Sequence, residues 1–101
     1  KYLVKHPTAT FLVRVVGDSM VNAGINQSDV LVVDRSIEAR SGRIVVAAIN
    51  GELTVKRLSK TNEGVYLLPE NDNYEPIKIE EGNENIVWGV VTNVISSFIL
   101  C

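Results

Sequence analysis

The sequence predicts a mostly β domain, and two observations carry that expectation. β-branched residues recur in short runs broken by Gly, Asn, Asp and Ser, and two of these runs are joined by Asn50-Gly51, the dipeptide most characteristic of a tight hairpin. Repeats and low-complexity tracts are absent.

Taken in order, the first strand is expected over 10–16. The segment from Ser19 to Ile25 follows Gly17-Asp18 and lacks alternation, which predicts a short helical turn opening at the serine. A second strand is expected over 30–34. Runs 43–49 and 52–58 flank Asn50-Gly51, a pair that accepts the positive φ angles of a type I′ turn, so they form a hairpin. Thr61-Asn62-Glu63-Gly64 then turns the chain into a strand over 65–68. Pro69 and Pro76 interrupt the stretch after it, so the later strands, the next over 77–80, are expected to be edge or irregular. The last strand is expected over 86–95.

A chain of 101 residues holds one compact domain, 1–101, and is too short for two. Hydrophobic residues make up 46% against 22% charged, a balance that supports an ordered core. The net charge of −2 leaves no broad positive field to neutralise phosphates, which argues against direct nucleic-acid binding. Lys56, Arg57 and Lys60 form the one local basic cluster and read as a solvated strand edge. With a single cysteine, Cys101, and a single histidine, His6, neither an internal disulfide nor a Cys/His metal centre is expected, and no cofactor is implied. The apolar stretch 86–100 is shorter than the roughly 20 residues that span a bilayer and carries Thr92, Asn93, Ser96 and Ser97. The opening residues lack the apolar run of a signal peptide, and a cytoplasmic setting without membrane contact is expected.

Chemistry centres on Gly17-Asp18-Ser19-Met20. A serine where a strand gives way to a turn can project its hydroxyl beside backbone N–H groups, although the same tetrapeptide is ordinary turn chemistry and Ser19 could equally cap a helix. A hydroxyl nucleophile needs a base, and His6, beside Pro7 in a terminal arm, reads as a surface residue. Lysine serves only when neutral; at a reference pKa near 10.4 about one in 2500 is unprotonated at pH 7. Burial corrects this by penalising the ammonium form, and bringing the pKa to about 7 corresponds to roughly 4.6 kcal/mol. Around Lys56, alternation puts Leu53, Val55 and Arg57 on one face and Glu52, Thr54, Lys56 and Leu58 on the other, wetter one. Periodicity therefore favours an exposed strand lysine.

The order of motifs along the chain reverses that reading. His6-Pro7 with Ala9-Thr10-Phe11, Gly17-Asp18-Ser19-Met20, Gly24-Ile25, Leu31-Val32-Val33-Asp34, Ile44-Val45-Val46-Ala47, Gly51-Glu52 and Thr54-Val55-Lys56-Arg57-Leu58 come first. Leu68-Pro69-Glu70-Asn71, Tyr74, Pro76-Ile77 and Trp88-Gly89-Val90-Val91 come after them, so that the series covers roughly 6 to 95. The chain resembles the UmuD-type SOS mutagenesis proteins, within the LexA/UmuD family of self-cleaving serine peptidases. The opening His-Pro-Thr-Ala-Thr-Phe and the Gly-Asp-Ser-Met form look like the mutagenesis branch rather than the repressor branch. Ser28, where the family often has glycine before Asp29, and Arg43, where an acidic residue is common, depart from the pattern.

The resemblance implies a LexA/signal-peptidase-like fold of several coiled antiparallel sheets with a helical turn after the nucleophile. It implies Ser19 as nucleophile, Lys56 as general base, and backbone N–H groups at Asp18 and Ser19 as the oxyanion hole. In the family the scissile bond lies between Ala or Cys and Gly in an upstream arm, which implies that this chain is a processed or truncated form; Ala23-Gly24 sits too close to Ser19 to reach it. An activated RecA filament is implied as cleavage co-activator. The processed form is implied to be a homodimer that joins a Y-family, UmuC-like polymerase subunit for translesion synthesis. Val87, Trp88, Val90 to Ile95 and Phe98 to Leu100 are candidates for the dimer surface, with ordinary core as the competing reading. The alternatives are the peptidase half of a LexA-like or phage-type repressor, and a purely dimeric polymerase-binding module. A signal peptidase, which also uses Ser and Lys, is disfavoured for want of a membrane anchor.

Overall fold

The structure, a computed structural model, describes residues 9–80 and 86–96. Seven strands, all paired antiparallel, are present among these residues: β1 (Thr10–Arg14), β2 (Val30–Asp34), β3 (Ile44–Ile49), β4 (Glu52–Thr61), β5 (Gly64–Leu68), β6 (Ile77–Ile79) and β7 (Val87–Ile95). The expected mostly β class holds. Where several coiled sheets are expected, hydrogen bonds run unbroken through a single seven-stranded sheet in the order β1-β2-β7-β3-β4-β5-β6. Both partners of β7 carry a register shift, at Val32/Val33 and at Val46/Ala47, and such shifts bend and twist a sheet.

The hairpin lies where Asn50-Gly51 puts it. Ile49 pairs with Glu52, and Asn50 and Gly51 take φ of 52° and 83°, the two positive angles a type I′ turn requires. β4 outruns its expected end by three residues, because Thr61 pairs with Gly64 across a tight turn and pairing with β5 starts at once. β1 is shorter than expected, yet its ladder continues irregularly: Val15 N–H donates to the Asp29 carbonyl and Ser28 N–H to the Val15 carbonyl. β6, behind Pro76, is an edge strand as expected, whereas β7, also among the later strands, is not an edge but lies between β2 and β3 inside the sheet. The helical turn is one 3-10 turn, Val21–Ala23, and it opens after Met20 rather than at Ser19.

β3 shows how the core is divided. Its side chains alternate, so Val46 packs with Val15, Met20, Ile25, Leu31 and Val33, whereas Val45 and Ala47 pack with Leu58, Leu67, Ile79 and Val90. Both faces of the central strands are therefore covered. The candidate dimer residues divide accordingly: Val90 is core, Trp88, Val94 and Ile95 are exposed, and 98–100 lie outside the described residues.

Ser28 holds a φ of 78°, a left-handed conformation that a Cβ disfavours and that glycine, the residue the resemblance leads one to expect there, adopts without strain. Its described hydrogen bonds use backbone atoms only: the N–H to Val15 and the carbonyl from Arg14. Ser28→Gly should keep those bonds and raise unfolding free energy by about 0.5 to 1 kcal/mol, read from urea denaturation.

Candidate active site

Two segments bring the site together. β1 runs out through Val15 and the exposed Val16, the chain turns at Gly17 (φ 91°), and Ser19 follows, half-buried, just before the 3-10 turn. The buried Met20 anchors this loop in the core beside Val15 and Ile25. β4 supplies Lys56 from the interior of the sheet, opposite Val45 in register.

Lys56 is only 6% exposed, so the solvated-edge reading of the basic cluster and the exposed-lysine reading of the alternation are both corrected. The reason is that β4 lies between β3 and β5 and packs on two sides: Val55 contributes to one core cluster, while Leu58, on the same face as Lys56, belongs to the other. Neither face is a solvent face at that point. Of the cluster, Lys60 alone is exposed, for Arg57 is half-buried and its Nε donates to Glu70 Oε2 at 2.8 Å.

Lys56 Nζ lies 2.9 Å from Ser19 Oγ, 2.7 Å from Thr54 Oγ1 and 3.2 Å from the Val55 carbonyl. An ammonium has three N–H donors, and these are three acceptors. No carboxylate pairs with it among the described residues, and burial pushes the amine below its ordinary value of 10.5. In the neutral form two N–H groups suit Thr54 and Val55, which leaves the nitrogen lone pair to accept the Ser19 hydroxyl proton. The helix-cap reading of Ser19 is not met, since the 3-10 turn has no side-chain cap.

The backbone N–H groups of Asp18, Ser19 and Met20 donate to no protein acceptor among the described residues. The loop carrying them is held from outside by the segment after β5. Glu70 N–H donates to the Ser19 carbonyl at 2.8 Å and the Glu70 carbonyl accepts from Asn22 N–H at 2.8 Å. Asn71 Nδ2 donates to the Asp18 carbonyl at 2.8 Å, and the Tyr74 hydroxyl donates to Asp18 Oδ1 at 2.7 Å, a bond that pushes the phenol pKa up. Sequence reasoning assigns no role to Thr54, Glu70, Asn71 or Tyr74. Thr54 is legible in principle, since positions i and i+2 share a strand face; the other three act across more than 45 residues and leave no local signal.

Beside Ser19 opens a cavity of about 210 Å³ lined mainly by Val13, Val15, Val16, Met20, Leu53 and Val55. Val16 is 91% exposed and Leu53 is 45% exposed, so apolar side chains border the hydroxyl on the solvent side. His6 and Cys101 lie outside the described residues.

A family model described as Peptidase S24-like matches residues 1–92. The LexA repressor of Shewanella baltica (strain OS155 / ATCC BAA-1091) is 45% identical over 91 residues, covering 89% of this chain and 44% of the repressor. Protein MucA of Escherichia coli is 44% identical over 102 residues, covering 100% of this chain and 69% of MucA. The chain thus spans less than half the length of the LexA repressors it matches.

A lysine whose folded-state pKa lies below 10.5 binds fewer protons folded than unfolded, so stability rises with pH between the lowered value and 10.5. Lys56→Met removes the titration. Urea denaturation across alkaline pH should show the parent gaining steadily on Lys56→Met through that window; a difference independent of pH would contradict the role of burial.

Proposed function

The chain belongs to the Peptidase S24-like family, serine peptidases of the self-cleaving type, and from that premise we propose that Ser19 is its nucleophile and Lys56 its general base. The observation that carries this reading is the 2.9 Å contact between Ser19 Oγ and an amine kept from water without a counter-charge. Neutral Lys56 takes the hydroxyl proton as Oγ attacks the carbonyl carbon of the scissile bond. Charge then develops on the carbonyl oxygen, where the N–H groups of Asp18 and Ser19 form the oxyanion hole, each aligned donor being worth about 3 to 4 kcal/mol. The Lys56 ammonium returns its proton to the leaving amine, and water, deprotonated by the same lysine, releases the acyl group. The apolar cavity beside Ser19 receives the side chains of an extended substrate segment.

In the whole protein the substrate is a bond in the protein's own upstream arm, and cleavage responds to a RecA filament on single-stranded DNA. The processed form pairs as a homodimer and serves a Y-family polymerase in the cytoplasm. Resemblance to the UmuD-type proteins supports this wider role, as does alignment with MucA along the full chain. Exposure of Trp88, Val94 and Ile95 on β7 supports self-association.

An alkyl fluorophosphonate, which acylation-type serine nucleophiles attack at phosphorus, tests the site directly. Labelling should map to Ser19, rise with pH to a midpoint below 10.5, vanish in Ser19→Ala and fall about 100-fold or more in Lys56→Met at neutral pH. Undiminished labelling of either variant would overturn the assignment.

A further inference from the structure

Residues 70 and 71 hold two consecutive peptide units of the loop at Ser19, and they do so by different means. Glu70 uses its backbone N–H, on the Ser19 carbonyl, a bond that any residue but proline could make there. Asn71 uses its side chain, through Nδ2 on the Asp18 carbonyl at 2.8 Å.

A trans peptide unit is planar, and its C=O and N–H point in opposite directions. The Asp18 carbonyl and the Ser19 N–H belong to one such plane, so a donor that fixes the carbonyl also aims the N–H. Among the described residues the other donor to this carbonyl is Val21 N–H, at a long 3.3 Å. The Asn71 amide is itself set, because Oδ1 accepts the Asn73 N–H at 2.9 Å and so determines which end of the amide faces Asp18. Tyr74, whose N–H donates to the Asn71 carbonyl at 3.1 Å, returns to the same residue with its hydroxyl on Asp18 Oδ1.

From this geometry we propose that Asn71 is a positioning residue, which aims the Ser19 N–H at the developing oxyanion through the peptide plane shared with Asp18; this rests on the reading of Ser19 as nucleophile. The loop has independent anchors in the Glu70 backbone, in Asn22 N–H and in buried Met20, so the Asn71 bond adds orientation of one plane to a loop already in place.

The test follows acylation of this chain by p-nitrophenyl acetate across about pH 6 to 11. Ser19 Oγ forms the bond to the acetyl carbon, p-nitrophenolate leaves with the electron pair, and the hydroxyl proton passes to Lys56. In Asn71→Ala the alkaline plateau should fall about 10-fold or more, a part of the 10²- to 10³-fold loss on deleting an oxyanion donor, with the pH midpoint unmoved. Asn71→Asp keeps an acceptor for Asn73 N–H, and with it the turn, but sets a carboxylate oxygen against the Asp18 carbonyl; it should lose as much. It also decides the matter if Asn71→Ala does not fold. A plateau within about twofold of the parent in Asn71→Asp overturns the proposal. So does a midpoint that moves toward 10.5 with the plateau intact, because Asn71 would then act on the burial of Lys56. Ser19→Ala separates the two levels: parental acylation in that variant removes the nucleophile reading itself, whereas its loss beside a fully active Asn71→Asp removes only the role of Asn71.

Discussion

An amine kept out of water, with no anion beside it among the described residues, is the constraint on which the rest of this molecule turns. Desolvation disfavours the ammonium, and the three oxygen acceptors around Nζ soften the penalty without cancelling it as a carboxylate would. A site of that kind needs walls on every side, which a strand at the edge of a sheet or a one-sided amphipathic sheet could not supply. Placing the lysine on β4, with β3 and β5 as neighbours and core clusters on both faces, supplies them. The Ser19 loop closes the remaining side, and its own contribution to the seal is Met20, which is 2% exposed.

Legibility in the sequence tracks the range of the forces involved. The Asn50-Gly51 hairpin and the run of short strands are readable because turn chemistry and β propensity act within a few residues. The face of Lys56 is misleading for a definite reason. Alternation assumes one wet face, and at β4 the aliphatic Val55 and Leu58 point to opposite sides with core against both, so the contrast on which the rule depends is gone. The pairing of Ser19 with Lys56 across 37 residues comes from resemblance, not from any periodicity. The segment carrying Glu70, Asn71 and Tyr74 fits the family pattern without declaring its work, because its partners Asp18, Ser19 and Asn22 lie about 50 residues away and the contacts run largely through backbone atoms.

The two sets of relatives bear on different questions. LexA repressors and MucA are alike to this chain at 45% and 44% identity, so percentage identity speaks for the shared peptidase core and does not separate the branches. Coverage does differ, since the MucA alignment takes in the whole chain and the repressor alignment 89% of it. Within that core the departure at Ser28 is a matter of backbone conformation at the end of the β1–β2 loop, and Arg43 is exposed, its guanidinium 3.5 Å from the Glu38 carbonyl; neither touches the Ser19 to Lys56 contact.

The position of β7 has a consequence for how the molecule comes into being. The last strand among the described residues sits between β2 and β3, so within those residues the ladder bearing the serine loop and the meander bearing the lysine have no strand pairing with each other except through it. Apart from β7, the two halves meet through the contacts of Asp18, Ser19 and Asn22 with the Glu70–Asn71 segment and through side-chain packing. Pairing β7 with β2 carries the closure entropy of the long stretch between them. Bringing Ser19 beside Lys56 thus waits on long-range pairing rather than on local hairpins, a consequence of strand order.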